Sequence, residues 1–352
     1  MKILLASNSL RGGGVESVLI TLSNYLISQN HEVHLLNFNS FKEVDINPLL
    51  KRHVIEARKP NRISNLKKLI SDLEKDTPFD LILSNQTETD HFMRELKNKN
   101  IYFVLHANFT QTYIIGKPIL KKIRRIFRFR NRYKNLNIIS VCNGVKDDFI
   151  NNLKIKPASI KTIYNPIDSL YIERLSQEEN IINEDNYIVH IANYSLLKRH
   201  DLIIKAYKLS NIKEKLVLIG TNVKENMLNL VKELDIEDKV IFTGFIKNPY
   251  PIIKNAKILV HSSDYEGFGM VLLESLSLKT LVVSTNYVYG ANEILTDELS
   301  KYLVPTNNIS ALANKIKSTI DEIDNNSIRI NFDKCIEKFR VNYIANQYLE
   351  LI

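Results

Sequence analysis

Two glutamates, Glu266 and Glu274, stand eight positions apart with Gly267, Phe268 and Gly269 between them. Paired carboxylates could serve as the acid and base of a glycosidase. If the intervening residues are helical, eight steps of 1.5 Å separate the two by about 12 Å. Glycosidase carboxylates lie roughly 5 to 9.5 Å apart. The spacing is too long for one scissile bond and suits a ligand gripped at both ends. A bare pair at this spacing is also what a solvated loop glutamate and a helix-face glutamate would give, so the surrounding residues decide. Ile258 to Val260 is an apolar run of the kind that forms a short buried strand. Small and polar residues follow, loosened by Gly267 and Gly269. From Phe268 the pattern turns helical, with Val271, Leu272 and Leu276 on one face. Strand, glycine loop and helix together aim free backbone N–H groups and the positive helix end above the sheet, which favours phosphate.

Taken whole, Ser262 to Ser275 resembles the E-x7-E signature of retaining glycosyltransferases with the GT-B fold, in particular glycosyltransferase family 4. The resemblance implies that Glu266 meets hydroxyls of the donor sugar and Glu274 the nucleotide ribose. It implies that the backbone of Gly267, Phe268, Gly269 and Met270 helps to hold the donor.

Other segments extend the resemblance over nearly the whole chain. Ile191 to Arg199 is similar to the family's G-R-x-x-x-x-K-G, which makes Lys198 the cation on the donor diphosphate. An ammonium there would stabilise the leaving nucleoside diphosphate. The family's Arg is Asn193 here, so an amide donor remains and a unit charge is lost. Arg199 occupies the place of the family's Gly, and the phosphate role is assigned to Lys198 alone. Exposed cations at a helix start are the plain alternative for both. Phe242 to Ile246 reads as a strand end, where open α/β sheets bind ligands; in relatives this segment offers backbone groups to the base, which singles out Phe245 and Ile246. Tyr289 to Ile294 resembles the G-x-x-E-I segment, with Glu293 as readily structural as functional.

Near the start, Arg11-Gly12-Gly13-Gly14 has neither the G-x-G-x-x-G dinucleotide fingerprint nor the Lys-Ser/Thr of a P-loop. Alone it is a tight turn. Gly13-Gly14-Val15-Glu16 nevertheless resembles the family's G-G-x-E, whose glycines approach the donor diphosphate and the acceptor. His106 ends an apolar run, and family members carry a His at the corresponding place at the bottom of the interdomain cleft, so it joins Glu266 and Lys198 as a catalytic candidate. The other seven histidines show no metal-ligand spacing.

The elements that must carry these residues alternate strand and helix. Lys2 to Ser7 reads as a strand, Val15 to Gln29 as a helix and Glu32 to Phe38 as a strand, a βαβ start that implies a parallel sheet. Further strands read at Leu81–Ser84, Ile101–Leu105 and Asn137–Val141. In the second half they read at Tyr187–Ile191, Lys215–Ile219, Lys239–Phe242, Ile258–His261, Thr280–Val283 and Lys301–Val304. Asn165-Pro166-Ile167-Asp168 resembles the family's N-P-[IV]-D before the interdomain crossing. The expected division is an acceptor-binding domain over 1–168, a nucleotide-sugar domain over 169–330, and a terminal helix over 331–352 packing back on the first domain.

Length and composition fit. The 352 residues suffice for two cores, and 44% apolar with 25% charged residues is ordinary for a globular protein. No apolar run reaches the eighteen or so residues of a membrane span, and Met1 to Ala6 is too short for a signal peptide. Cys142 and Cys335 imply no disulfide framework and fit a reducing cytoplasm. The net charge of +9 calls for an anionic partner. Its densest source is Lys117 to Lys134, with nine Lys or Arg and no acid. Leu120, Ile123, Ile126 and Phe127 recur there at helical spacing, so the segment reads as a basic amphipathic helix for a membrane surface, with Lys121, Lys122, Arg124 and Arg125 on its polar face. The alternative is a solvated helix packing its apolar face on the first domain.

The expectation is therefore an α/β protein of the GT-B fold: two Rossmann-like domains with parallel sheets facing across a cleft. The resemblance implies transfer of a sugar from a nucleotide-diphosphate sugar, of which UDP-sugars are the expected kind, with retention and without a metal or other cofactor. The expected acceptor is a saccharide or lipid-linked saccharide of surface polysaccharide or lipopolysaccharide synthesis, met at an anionic inner membrane face by a cytoplasmic, peripherally bound enzyme. Two alternatives are a GT-B nucleotide-sugar epimerase and a non-enzymatic basic protein of membranes or nucleic acid. No recognisable nucleic-acid-binding motif is present.

Overall fold

The computed structural model describes residues 1–11, 13–56, 61–97 and 100–352. Gly12 of the early glycine run lies outside the described residues. The chain divides into two compact units, one of 1–167 with 339–352 and one of 168–338.

In the first unit the strands are β1 (Lys2–Ser7), β2 (Glu32–Asn37), β3 (Lys51–Val54), β4 (Leu81–Asn85), β5 (Ile101–Leu105), β6 (Asn137–Ser140) and β7 (Ser159–Thr162). They form one parallel sheet in the order β3-β2-β1-β4-β5-β6-β7. Strands β1 and β4 are buried at every position, as near-continuous apolar strands covered on both faces must be. The edge strands β3 and β7 are additional to the sequence reading. Their sequences, Lys-Arg-His-Val and Ser-Ile-Lys-Thr, are half-buried or exposed throughout. These two edge strands carry no apolar run to betray them, and their cationic side chains guard the open edges.

The second unit holds β8 (Tyr187–Ile191), β9 (Lys215–Ile219), β10 (Val240–Gly244), β11 (Ile258–His261), β12 (Leu281–Thr285) and β13 (Leu303–Val304). They form a second parallel sheet, ordered β10-β9-β8-β11-β12-β13. Both units are thus Rossmann-like, and the GT-B class read from the sequence is the observed one. Each sheet reverses its strand order once, between β1 and β4 and between β8 and β11. Ligands of open α/β sheets bind outside the strand C-termini at such a switch point.

The stretch between the units is built from Asn165-Pro166-Ile167-Asp168. Asp168 caps the helix Ser169–Leu175 by accepting from the N–H of Tyr171 at 3.0 Å. Within the first unit, Ile167 donates to the carbonyl of Phe339 at 2.8 Å and accepts from the N–H of Val341 at 3.0 Å. The helix Val341–Leu349 then buries Ile344, Ala345 and Tyr348 and packs on the helix Gly14–Ser28. The single terminal helix expected from residue 331 is two pieces. The helix Phe332–Ile336 stays with the second unit, so the division falls after Lys338 rather than after residue 330.

Candidate active site

In the second unit the switch point gathers Lys198, from the turn after β8, and Glu266, from the loop after β11. The Lys198 Nζ donates to Glu266 Oε1 at 2.5 Å. His261 Nε2 lies 3.1 Å from the same oxygen and Ser263 Oγ donates to it at 2.7 Å. Three partners therefore converge on Oε1, while Oε2 has no hydrogen-bond partner among the described residues. The Glu266 side chain is 15% exposed and that of His261 2%. Burial pushes the Glu266 carboxyl up, but the His261 hydrogen bond and the Lys198 charge outweigh it and hold the group well below the usual carboxylate range. Glu266 is thus a fixed anion with one oxygen presented.

Glu274 is its opposite. It lies in the helix Met270–Ser277, half-buried, and its carboxyl has no hydrogen-bond partner among the described residues. Burial alone raises its carboxyl to about 7. Tyr250 lies close enough that burial and then the Glu274 charge raise its hydroxyl as well. The helix begins only at Met270, so half of the steps from Glu266 are loop, and the 12 Å separation estimated for a continuous helix does not apply.

The loop between the glutamates is clamped. Gly269 has φ 108°, and a Cβ there would meet Tyr287 Oη at 2.1 Å, while Tyr287 Oη itself donates to the carbonyl of Phe268 at 2.9 Å. Gly290, the glycine of the G-x-x-E-I segment, has φ 116°, and a Cβ on it would meet the Phe268 carbonyl at 2.3 Å. Neither position accepts a side chain without moving this loop. No side chain caps the first turn of Met270–Ser277, leaving its dipole for a ligand.

The remaining donor-site candidates are distributed around this centre. Asn193 is exposed, and its Oδ1 accepts from the N–H of Thr221 at 3.0 Å, tying the turns after β8 and β9. It is a loop tether, so replacing it by Arg would not be a clean gain of charge. Arg199 adopts φ 51°, the left-handed conformation that suits the Gly whose place it takes. Its guanidinium is held by Asp201, Asp264 and Asn307, which leaves Lys198 as the cation free to exchange partners. Phe245 is exposed and Ile246 half-buried just beyond β10, an edge strand of the second sheet. His261 and Ser263 were not singled out from the sequence. Their only signal is position, five and three residues before Glu266.

The first unit carries a cavity of about 410 Å³ at its own switch point. His106, at the end of β5, lines it and pairs through Nε2 with Asn85 Oδ1 at 2.8 Å. Burial lowers His106 to about 4, so it is neutral at physiological pH. Gly13 caps the helix Gly14–Ser28; a Cβ on it would meet Glu16 Oε2 at 2.8 Å, whereas a Cβ on Gly14 would meet nothing within 4 Å. At the buried end of the cavity lining Asp90 accepts from Ser84 Oγ and Tyr133 Oη, each at 2.6 Å, and burial raises it to about 7.

Tyr133 ends the helix Ile119–Tyr133, which is the basic segment. Its apolar stripe is not packed on the first unit: Leu120 is 79% and Phe127 65% exposed, with Ile119 and Ile123 exposed beside them. Phe129 and Tyr133 are the buried anchors. Lys121 and Arg124 are exposed and Lys122 half-buried. Arg125 corrects the sequence reading: it is half-buried and donates to the carbonyl of Tyr113 at 2.6 Å. Arg130 and Arg132 likewise donate inward, to the carbonyls of Leu153 and Thr87. Among the described residues no helix is long and apolar enough to cross a membrane, and no group of His, Cys, Asp or Glu could hold a metal ion.

Residues 12–169 match the family model described as Glycosyltransferase Family 4, and residues 172–331 match that described as Glycosyl transferases group 1. The chain is 29% identical over 330 residues to a Campylobacter jejuni protein, the N-acetylgalactosamine-N,N'-diacetylbacillosaminyl-diphospho-undecaprenol 4-alpha-N-acetylgalactosaminyltransferase, covering 89% of this chain and 88% of that one. It is 24% identical over 264 residues to a Staphylococcus aureus poly(ribitol-phosphate) alpha-N-acetylglucosaminyltransferase, covering 72% of this chain and 51% of that one. Its fold matches Anabaena HepE in complex with UDP and glucose, with a TM-score of 0.75 at 19% identity, over 99% of this chain and 98% of that one.

Proposed function

We propose that this chain, a glycosyltransferase made of a Glycosyltransferase Family 4 domain followed by a Glycosyl transferases group 1 domain, moves a sugar from a nucleoside diphosphate sugar to a lipid-linked saccharide with retention of configuration. The observation that carries the donor half is the pairing of Lys198 with Glu266 at the switch point of the second sheet, with the unpartnered carboxyl of Glu274 in the helix that follows the same loop. In this reading Lys198 leaves Glu266 for the donor diphosphate and neutralises the charge that grows as the bond to the sugar breaks. Glu266, pinned through Oε1, offers Oε2 to a hydroxyl of the sugar. Glu274 accepts from the ribose, and the uncapped turn at Met270 faces phosphate. Phe245 and Ile246 flank the base. The chemistry needs no metal, because an ammonium and a helix end supply the positive charge.

The acceptor half rests on the cavity of the first unit, with the neutral His106 in its wall. A relative named for a diphospho-undecaprenol acceptor supports a lipid-linked substrate here. Incubation with a panel of nucleotide sugars and lipid-linked acceptor in vesicles tests both halves. The expected result is acceptor-dependent release of nucleoside diphosphate and, by NMR, an α-linked product from an α-linked donor. Release without any acceptor and with an altered free sugar would point to an epimerase or hydrolase instead.

The helix Ile119–Tyr133 supports docking on the anionic cytoplasmic leaflet: apolar residues stand outward among cations, with no acid to repel lipid phosphate. Each Lys or Arg near such a surface contributes about 1 kcal/mol. The chain is expected to sediment with anionic but not neutral vesicles and to be released by salt. Replacing Lys121, Arg124 and Arg128 by Ser, with Leu120→Ser and Phe127→Ser, should abolish sedimentation and leave nucleotide binding unchanged. Arg125 is kept, since its bond to Tyr113 holds the first unit. Persistent sedimentation of the five-fold variant would remove the helix from the account.

A further inference from the structure

We propose that the cavity of the first unit accepts an uncharged glycosyl end group and rejects acceptors that end in a phosphate or a carboxylate. The inference deepens the acceptor half of the proposed function and rests on it. The two relatives named above divide on this point, one named for a sugar on a lipid diphosphate and the other for a poly(ribitol-phosphate).

The ionisable side chains lining the cavity are Glu16, Glu88 and Asp90 against Arg11, with His106 and Tyr113 neutral. Glu16 is almost fully buried, and its Oε1 accepts from Gln86 Nε2 at 3.2 Å. Gln86 is itself fixed, since its Oε1 accepts from the N–H of Asn8 at 3.0 Å. It has φ 79°, a strained conformation for a residue other than glycine, of the kind found where a ligand site over-determines the backbone. Glu88 is exposed at the rim, where its Oε2 accepts from Thr87 Oγ1 at 3.3 Å. Arg11 also lines the cavity, but it is exposed and its guanidinium lies over the ring of Phe41, 5.0 Å from its centroid, which is not part of the lining.

A carboxylate only accepts hydrogen bonds, whereas a sugar hydroxyl both donates and accepts. Glu16 and Glu88 can therefore each accept hydrogen bonds from the hydroxyls of a neutral sugar. A phosphate ester or a uronate offers them only further acceptor oxygens and a like charge, and at Glu16, which is almost fully buried, that repulsion is weakly screened. Asp90, at the buried end of the lining, adds negative charge as it ionises.

The test uses the full chain saturated with UDP, so that the second unit is closed to phosphate probes, and reads ligand-observed saturation-transfer NMR. Probes come in pairs that differ in charge: methyl glucoside against glucose 6-phosphate and methyl glucuronide, and N-acetylgalactosamine against its 6-phosphate. The neutral member of each pair is expected to bind at least about tenfold more tightly. Ala107→Trp, which fills the cavity, should remove the signal. Glu88→Lys, at an exposed rim position, should reduce or invert the preference. Equal or tighter binding of the charged members, an unchanged ratio in Glu88→Lys, or no neutral sugar sensitive to Ala107→Trp would each overturn the inference. UDP binding is read in the same samples. Its loss would count against the donor half, whereas a wrong charge preference with UDP binding intact counts against this inference alone.

Discussion

Lys198→Ala is expected to slow sugar transfer by about 10²-fold or more, with a much smaller loss of stability. The ammonium is asked to neutralise charge that appears as the nucleoside diphosphate departs, and removing one such preorganised group typically costs about 10²–10³ in turnover. In the free protein the same ammonium is 2.5 Å from Glu266 Oε1. Its removal leaves Glu266 with His261 and Ser263, so the carboxylate keeps hydrogen bonds and the fold survives. The Lys198 side chain is 29% exposed, which limits the cost to the fold further. Because Lys198 and Glu266 form one unit, their effects should not add. Lys198→Ala combined with Glu266→Gln is expected to be within about tenfold of the slower single variant. Turnover of Lys198→Ala within about twofold of wild type would remove the lysine from the chemistry.

The second large effect is a pH dependence carried by Glu274. Its carboxyl rises from an ordinary 4.5 to about 7 because it is withdrawn from water, half-buried, without a side-chain partner. For stability the sign follows from the raised value: the neutral form fits the native state. The penalty is absent below about 4.5, grows as the pH rises, and is complete above about 7. A rise of this size corresponds to about 3 kcal/mol as an upper figure. Glu274→Gln should therefore stabilise the free protein at pH 8 and leave it unchanged at pH 4. For binding the sign is opposite. Ribose hydroxyls donate to the carboxylate, favour its charged form and release a proton on binding. Nucleoside diphosphate affinity should then rise about tenfold from pH 6 to pH 8, and the Gln variant should lose that rise. The phosphate's own titration is common to both proteins, so the difference between them isolates Glu274. Thermal melting and titration calorimetry at three pH values read both signs; a Gln variant less stable than wild type at pH 8 would contradict them.

Much of this arrangement was legible in the sequence because parallel strands buried on both faces are written as apolar runs. Lys2–Ser7, Leu81–Asn85 and Ile258–His261 lie in the middle of their sheets and stand out for that reason. Lys51–Val54 and Ser159–Thr162 do not, since an edge strand faces water and uses polar residues. Glu266 and Glu274 were visible through their loop, but their opposite electrostatic states were not. Those depend on His261, Ser263 and Lys198 meeting one oxygen and on no hydrogen-bond donor meeting the Glu274 carboxyl, which no spacing encodes. The basic helix shows a similar limit. Periodicity gives its two faces, yet only packing reveals that the apolar stripe of Leu120 and Phe127 points outward while Arg125 and Arg132 turn inward.

The central claim is that Lys198 holds the donor diphosphate and Glu266 the donor sugar. Calorimetric titration of uridine diphosphate into wild type, Lys198→Ala and Glu266→Ala tests it most directly, with the other nucleoside diphosphates titrated in parallel to allow for a different base. The account predicts binding at one site per chain, at least about tenfold weaker in Lys198→Ala, since a charged hydrogen bond contributes roughly 1.5–3 kcal/mol. In Glu266→Ala, where the ammonium has lost the carboxylate that competes for it, binding should be as tight as in wild type or tighter, although transfer is lost. Absence of binding by any nucleoside diphosphate, or a loss in Glu266→Ala equal to that in Lys198→Ala, would contradict it.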